Sequence, residues 1–180
     1  MEKVKIIGAG SIGNHLANAC RICDMQVDLV DNDPAALLRT REEIYPQRYG
    51  IWDHKINLYL SSEQPKSGYD IIFVGTPPDT HLKVALEAVK ELPKLIVIEK
   101  PLCDLNFEEL EPLIHAAKSN NIRLLVGYDH AVSKSFQYFE ESIQHDKNIM
   151  TLDVEFREYW GGIFAAHPWL DGPKDSYLGF

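Results

Sequence analysis

Residues 3–20 read KVKIIGAGSIGNHLANAC, and this stretch decides the fold. The strand-like run at 3–7 predicts a short buried strand, and apolar residues at helical spacing predict a helix at 11–23. Three glycines at 8–13, spaced G-x-G-x-x-G, separate the two. A strand that leads through such a loop into a helix indicates the first unit of a Rossmann-type, doubly wound parallel sheet.

The rest of the chain continues this alternation of strands and helices. Its strands are continuous apolar runs, which are typical of a parallel sheet covered on both faces. An alternating pattern at 151–159 predicts a strand of a different kind, at the beginning of an incomplete α+β second domain. We therefore expect an α/β fold, with a nucleotide-binding Rossmann domain at 1–128 and a linker helix with part of a second domain at 129–180. Further strands are predicted at 26–30, 56–60, 70–74, 95–98 and 122–126, and helices at 33–44, 78–90, 106–119 and 130–145.

Each glycine of the loop has a predicted role in binding a dinucleotide. Gly8 permits the tight turn, Gly10 lets the backbone approach the pyrophosphate, and Gly13 lets the helix pack on the strand. The backbone N–H groups at Ser11 and Ile12, with the positive end of the helix dipole, would face the phosphates. The alternative is that the glycines serve packing only, and FAD-binding proteins use a similar pattern.

An acidic residue follows the second predicted strand. Asp31 lies 18 residues after Gly13, where a carboxylate accepts hydrogen bonds from the adenosine ribose hydroxyls. The same carboxylate would repel the extra phosphate of NADP, and neither Asn32 nor Asp33 supplies a compensating positive charge. The sequence therefore predicts NAD rather than NADP, with Asn32 beside the ribose.

Three polar segments follow later strands: VGTPPDTH at 74–81, EKPL at 99–102 and GYDH at 127–130. The carboxyl ends of parallel strands are where open α/β sheets bind ligands. Lys100, just beyond an apolar strand, could assist proton transfer as hydride leaves a carbinol carbon for a nicotinamide. The alternative is a solvent-facing lysine that pairs with Glu99.

The ordered motifs GAGSIG, the strand-ending Asp31, VGTPPDTH and EKPL resemble the Gfo/Idh/MocA oxidoreductases, named for glucose–fructose oxidoreductase and inositol dehydrogenase. The segment VGYDHAVSKSFQYFEE at 126–141 resembles the stretch that closes the nucleotide domain of that family. Family members often have Asn and Arg where this chain has Asp129 and His130, so the role of these two residues stays open.

The resemblance implies roles for individual residues. Thr76 and Pro77 would line the nicotinamide side of the cofactor, and Lys100 would be the catalytic lysine that contacts the substrate hydroxyl. The Lys100–Pro101 peptide bond is expected to be cis. His81 would either contact the cofactor or cap and pack its helix. The candidate cofactor-binding residues are Gly8, Gly10, Ser11, Ile12, Gly13, Asp31, Asn32, Gly75, Thr76, Pro77, His81, Glu99 and Lys100.

The same resemblance implies an NAD-dependent oxidoreductase that acts on a hydroxyl or keto carbon of a sugar, sugar nucleotide or cyclitol. Family members carry a larger, mostly antiparallel second domain, which holds an Asp/His catalytic pair and often mediates oligomers. Only about 50 residues follow the boundary that we place near 127–130, so we expect a truncated member. The alternatives are a module that binds NAD(H) without turnover, or a redox-sensing interaction protein.

An aromatic segment at 159–169 could contact a sugar-like substrate. Tryptophan rings stack on such ligands and histidines hydrogen-bond them, but aromatics in a loop also pack beneath a domain. Both interpretations stay open. The candidate substrate-binding residues are Tyr128, His130, Trp160, His167 and Trp169.

Composition narrows the remaining function classes. The 180 residues carry a formal net charge of −9, which argues against nucleic-acid and membrane partners. The N-terminus lacks the apolar segment of a signal peptide, and three cysteines form no disulfide framework, so a cytoplasmic protein is expected. Cys20 and Cys23 form C-x-x-C near the end of a helix, where buried cysteines are favoured over a redox or metal site. No metal is predicted.

Overall fold

The fold is taken from a computed structural model that describes residues 1–144, 148, 150–155, 157 and 159–166. The chain divides into two compact units, Met1–Gly127 and Tyr128–Phe180. The first unit contains a six-stranded sheet in the order β3-β2-β1-β4-β5-β6, and every neighbouring pair is parallel. This confirms the predicted doubly wound Rossmann topology. The strands are β1 (Lys3–Ile7), β2 (Gln26–Asp31), β3 (Ile56–Leu60), β4 (Ile71–Val74), β5 (Leu95–Glu99) and β6 (Arg123–Gly127).

Helices cover both faces of this sheet. On one face, a buried cluster around Val4, Ile6 and Leu29 joins the sheet to the first three helices. On the other face, Ile72, Ile96 and their neighbours pack against the fourth and fifth helices. Burial on both faces explains why the central strands β4 and β5 are almost wholly apolar. The helices of this unit are α1 (Ser11–Ile22), α2 (Pro34–Arg39), α3 (Tyr45–Tyr49), α4 (His81–Val89) and α5 (Leu110–Ser119).

The helix predicted at 33–44 has a more complex structure. Asp33 caps α2 because its side chain accepts a hydrogen bond from the Ala35 N–H at 2.9 Å. A π-helical turn, Thr40–Ile44, then connects α2 to α3 without a break. The prediction ended this helix too early. A proline in the first turn of a helix is tolerated, and Pro46 occupies that place in α3.

Other boundaries differ by a few residues from their predictions. The helix expected from residue 106 begins at Leu110, and the one expected from 130 is a 3₁₀ turn, Asp129–Val132, followed by α6 (Lys134–Ile143). In α6, the Ser133 hydroxyl accepts a hydrogen bond from the Phe136 N–H at 3.2 Å, a typical N-terminal cap.

The strand predicted at 151–159 is wrong for the residues described there, none of which is in a strand. An alternating segment forms a strand only when it has a partner for its backbone hydrogen bonds. The aromatic segment that follows, expected as a loop, instead begins with a helix, α7 (Trp160–Ala166). The Trp160 and Phe164 rings, four residues apart, lie 5.6 Å from each other, as neighbours on one helix face do.

A buried polar cluster interrupts the apolar packing beside β1. The Lys5 side chain is fully buried, and its ammonium lies 2.6 Å from Glu91 Oε2 and 2.8 Å from the Pro65 carbonyl oxygen. Burial lowers the pKa of Lys5, although Glu91 opposes this shift. Asp28 beside it accepts hydrogen bonds from the Tyr69 hydroxyl at 2.7 Å and from Asn57 at 2.8 Å. The cluster is satisfied internally.

Candidate functional site

The loops after β1 and β4 meet because these two strands are neighbours. The Gly75 N–H donates to the Ile7 carbonyl oxygen at 2.8 Å, which extends the β1–β4 hydrogen bonding by one residue beyond Val74. Gly8 has φ +110°, and a Cβ there would lie 2.5 Å from the Gly75 oxygen. A Cβ at Gly13 would lie 2.0 Å from the Gly8 oxygen. The first and third glycines are therefore required by close backbone packing.

Gly10 is different, because a Cβ added there would meet nothing within 4 Å. Packing does not require a glycine at this position, whereas the close approach of a ligand would. The first hydrogen bond of α1 runs from the Asn14 N–H to the Gly10 oxygen. The N–H groups of residues 11–13 therefore have no acceptor within the helix. The N-cap residue, Gly10, has no side chain that could cap this end, and the first turn of α1 holds no acidic residue. Such a helix end suits a phosphate, so the loop fits the pyrophosphate of a dinucleotide.

Asp31 is held against the glycine loop at the end of β2. Its Oδ2 accepts a hydrogen bond from the Ala9 N–H at 2.7 Å, and its Oδ1 accepts one from the Asp33 N–H at 2.9 Å. The carboxylate is thus fixed in orientation beside the loop, with Asn32 exposed next to it. A cation that the motifs do not predict also lies here: Arg39 Nη2 is 3.7 Å from Asp33 Oδ2.

Two fully buried polar side chains hydrogen-bond the backbone of the glycine loop. Thr40, in the π-helical turn, donates its hydroxyl proton to the Ala9 oxygen at 2.8 Å. The Asn14 side-chain amide lies 2.9 Å from the Gly10 oxygen and 3.2 Å from the Thr40 hydroxyl. Sequence reasoning missed both residues. π-Helical turns occur frequently at functional sites, and here the turn supports the loop that the motif identified.

His81 joins the loop after β4 to the loop after β5. Its ring is 1% exposed, with Nε2 2.6 Å from the Thr76 oxygen and Nδ1 2.9 Å from the Pro101 oxygen. Of the two alternatives for His81, the geometry favours packing, because backbone carbonyls occupy both ring nitrogens. The Thr80 hydroxyl oxygen lies 2.7 Å from both the Thr76 hydroxyl oxygen and the Pro77 carbonyl oxygen, which holds the first of these loops in a tight turn.

The candidate catalytic lysine lies at the carboxyl end of β5. The Lys100–Pro101 bond is cis, as expected, and the Lys100 side chain is exposed. Glu99 is half-buried, and its Oε2 lies 3.1 Å from where a Cβ on Gly127 would stand. Because β1, β4 and β5 are consecutive in the sheet, the glycine loop, the Thr76–Pro77 turn and Lys100 follow three neighbouring strands.

The candidate substrate-binding residues belong to the second unit. Tyr128 and His130 are exposed and Trp160 is half-buried. His167 and Trp169 lie outside the described residues. A cavity of about 680 Å³ lies along the edge strand β3, where Trp52, His54 and Tyr59 contribute to its lining, and none of the predicted site residues lines it.

Cys20 and Cys23 differ in their surroundings. Cys20 is buried as predicted, at 6% exposed, and burial raises its pKa to about 11. The prediction of a buried cysteine is wrong for Cys23, which is exposed near the end of α1. In the part of the chain that the structure describes, no three His, Cys, Asp or Glu side chains gather as metal ligands would. Within that same part, no helix has the length and apolar character needed to span a membrane.

Comparisons with known proteins agree with this geometry. The sequence profile GFO_IDH_MocA, described as an oxidoreductase family with an NAD-binding Rossmann fold, matches residues 3–128. No curated protein matches the chain by sequence. Biliverdin reductase from Synechocystis, solved with biliverdin and NADP⁺, is similar at TM-score 0.58 and 17% identity over 79% of this chain and 42% of that one.

Two further solved structures resemble the chain. A protein from Klebsiella pneumoniae, provisionally described as an oxidoreductase, gives TM-score 0.59 and 18% identity over 80% of this chain and 39% of its own. Another with the same provisional description, from Thermotoga maritima, gives 0.56 and 19% over 79% and 43%. This chain thus spans about two fifths of the length of these relatives, and the likeness shows a shared fold. The match over residues 3–128 shows that the chain belongs to the Gfo/Idh/MocA oxidoreductases with an NAD-binding Rossmann fold.

Proposed function

We propose that this chain forms the nucleotide-binding part of an NAD-dependent oxidoreductase that acts on a hydroxyl or keto carbon of a sugar, sugar nucleotide or cyclitol. One observation carries the proposal. The glycine loop, the Thr76–Pro77 turn and Lys100 follow three neighbouring strands at their carboxyl ends. That order suits a dinucleotide stretched along the edge, with its nicotinamide toward Lys100.

Individual residues of the chain would then have separate roles in the reaction. When bound, the nicotinamide accepts or returns the hydride. Lys100 would take the proton from the substrate hydroxyl as its carbon is oxidised, and would return that proton when the keto group is reduced. Thr76 and Pro77 would hold the nicotinamide side of the site, and His81 would keep their loop in register with Pro101 through its two carbonyl contacts.

We further propose that NAD is preferred over NADP. The support is the orientation of Asp31, whose two oxygens are fixed by the Ala9 and Asp33 N–H groups beside the loop. A fixed carboxylate accepts hydrogen bonds from ribose hydroxyls and repels a 2′-phosphate. Arg39 would favour NADP instead, because its guanidinium, near Asp33, could pair with the negative charge of a 2′-phosphate. Calorimetric titration of the chain with NAD and with NADP tests the balance, and equal affinities would refute the role given to Asp31.

The oxidoreductase role is tested by NADH formation with a panel of sugars, sugar nucleotides and cyclitols. Lys100→Ala is expected to lower turnover by about 10²–10⁴-fold, because it removes a general acid–base group. Lys90→Ala is the matched control, since Lys90 is an exposed lysine that pairs with Glu87 on the surface. Undiminished turnover in Lys100→Ala would remove Lys100 from the mechanism.

A second candidate is a module that binds NAD(H) without turnover. It is favoured by the extent of the family match, which covers the nucleotide-binding unit at residues 3–128. The two candidates differ in one measurement: this one requires NADH binding with no activity on any substrate of the panel. For either role we propose a cytoplasmic setting, which is consistent with the three free cysteines.

A further inference from the structure

Arg48, in α3, lies over the beginning of α1. Its Nη1 donates to the Ser11 carbonyl oxygen at 3.0 Å, and its Nη2 donates to the Ser11 hydroxyl at 2.9 Å. Ser11 is the first residue of α1 and directly follows Gly10, where the loop is open. An arginine 37 residues away in sequence therefore places its guanidinium at the helix end that suits a phosphate.

Arg48 is positioned by α3, whose Tyr45 hydroxyl donates a hydrogen bond to Asn18 Oδ1 in α1 at 3.3 Å. The buried Tyr45 ring lies 5.0 Å from the Tyr49 ring and 5.1 Å from the Trp52 ring, in edge-to-face contacts. Tyr49 also hydrogen-bonds His15 through its hydroxyl, one helical turn beyond Ser11. Because the Tyr45 and Tyr49 hydroxyls both contact α1, α3 presents the Arg48 guanidinium beside the first residue of that helix.

Charge makes this position significant. The chain carries a net charge of −9, and Asp31 and Asp33 lie beside the same loop. Burial, and then the charge of Arg48, lower the pKa of His15, which reduces the positive charge that this histidine could add beside the loop. A pyrophosphate carries two negative charges, and a helix N-terminus offers about half a positive charge. Arg48 provides a full charge on a fork-shaped group that suits phosphate oxygens.

We propose that Arg48 binds the pyrophosphate of the dinucleotide directly, in addition to holding Ser11. A guanidinium has five N–H donors, so two hydrogen bonds to Ser11 leave donors for phosphate oxygens. The inference rests on the proposed dinucleotide binding and adds a residue from outside the glycine motif to that site. The competing explanation is that Arg48 only fastens α3 to α1.

The test measures the affinity of the chain for NADH and ADP-ribose at about 0.02 M and about 0.3 M salt. Arg48→Gln is expected to weaken both about 10-fold at low salt, equal to about 1.4 kcal/mol, and to reduce the salt dependence of binding. Arg48→Lys should restore part of the loss. Arg123→Gln is the matched control, since it removes the same charge at the amino end of β6.

A second readout needs no affinity change. The ³¹P resonances of bound NADH should shift between the wild-type chain and Arg48→Gln, because the guanidinium would lie against the phosphates. Unchanged resonances, or a loss of affinity with unchanged salt dependence, would show that Arg48 is only a structural fastener. If the wild-type chain fails to bind NADH, the proposed function itself fails. If it binds and Arg48→Gln binds equally well, only the role of Arg48 is overturned.

Discussion

Gly10 and Gly13 share one motif, yet a methyl group added to each meets very different surroundings. At Gly13 the new Cβ would lie 2.0 Å from a backbone oxygen, whereas at Gly10 it would enter open space. Gly13→Ala is therefore expected to lower the free energy of unfolding by about 1–3 kcal/mol or more. Gly10→Ala, at φ −78°, should leave stability within about 0.5 kcal/mol and weaken NADH binding.

Urea denaturation and NADH titration of the two variants measure this difference. Two results would contradict the assignment of Gly10 to the cofactor site and Gly13 to the fold: equal stability loss in both variants, or full NADH affinity in Gly10→Ala. Wild-type chain titrated in parallel supplies the reference for both measurements.

The cysteine pair gives a second prediction for single residues. Burial raises the pKa of Cys20 to about 11, so at pH 8 roughly one molecule in a thousand carries its thiolate, which is the reactive form. Iodoacetamide should therefore label exposed Cys23 in the native chain and spare Cys20. Mass spectrometry of tryptic peptides reads the sites, with urea-unfolded chain as the control in which both react. Labelling of native Cys20 at the rate of Cys23 would revive a redox role for the pair.

Among the elements, the strands were predictable and several helices were not. The central strands β4 and β5 are apolar runs that local sequence identifies, and β1 and β3 have their predicted bounds although β1 contains the buried Lys5. The continuation of α2 through the π-helical turn depends instead on Thr40, which is buried by its contacts with Ala9 and Asn14. Contacts between residues this far apart in sequence cannot be predicted from a local pattern. The strand prediction at 151–159 was wrong for the residues described there for the opposite reason: the alternating pattern is local, whereas strand formation also depends on a hydrogen-bonding partner.

Some residues of the candidate site were likewise predictable from local motifs, and others depend on tertiary packing. Motifs predicted the glycine loop and Asp31, which lie within one strand–helix–strand unit, and the separate EKPL motif predicted Lys100 after β5. Arg39 and Arg48 were missed because their places depend on how α2 and α3 fold back toward α1 and β2. Arg48 and Ser11 are 37 residues apart in sequence, so no short motif contains both of them.

His81 supports a prediction about how the loops after β4 and β5 are coupled. Replacing its ring with phenylalanine removes the ring N–H from between the Thr76 and Pro101 oxygens, at a cost of about 1–3 kcal/mol for each buried oxygen that loses its donor. His81→Phe should lower stability by that order and speed hydrogen exchange in both loops together. His115→Phe, an exposed change on α5, is the control. Faster exchange confined to one loop would argue against His81 as their link.

The whole sheet depends on the buried ion pair beside β1. Lys5 is fully buried and Glu91 nearly so, with 2.6 Å between their charged atoms. Lys5→Met leaves a buried carboxylate without its cation, so unfolding free energy should fall by about 3–5 kcal/mol. The double variant Lys5→Met, Glu91→Leu removes both charges and should recover most of the loss, because apolar replacements of a buried pair are often neutral or stabilising.

Urea denaturation of the wild type, the single variant and the double variant measures both steps. The exposed pair Lys90–Glu87 supplies the control, since Lys90→Met there should change stability by less than about 1 kcal/mol. If the double variant were as unstable as Lys5→Met, the cost would lie in lost packing rather than in the stranded charge. The buried cluster would then be a requirement of shape, since Lys5 also lies 4.5 Å over the Tyr69 ring and helps to fill the space beside it.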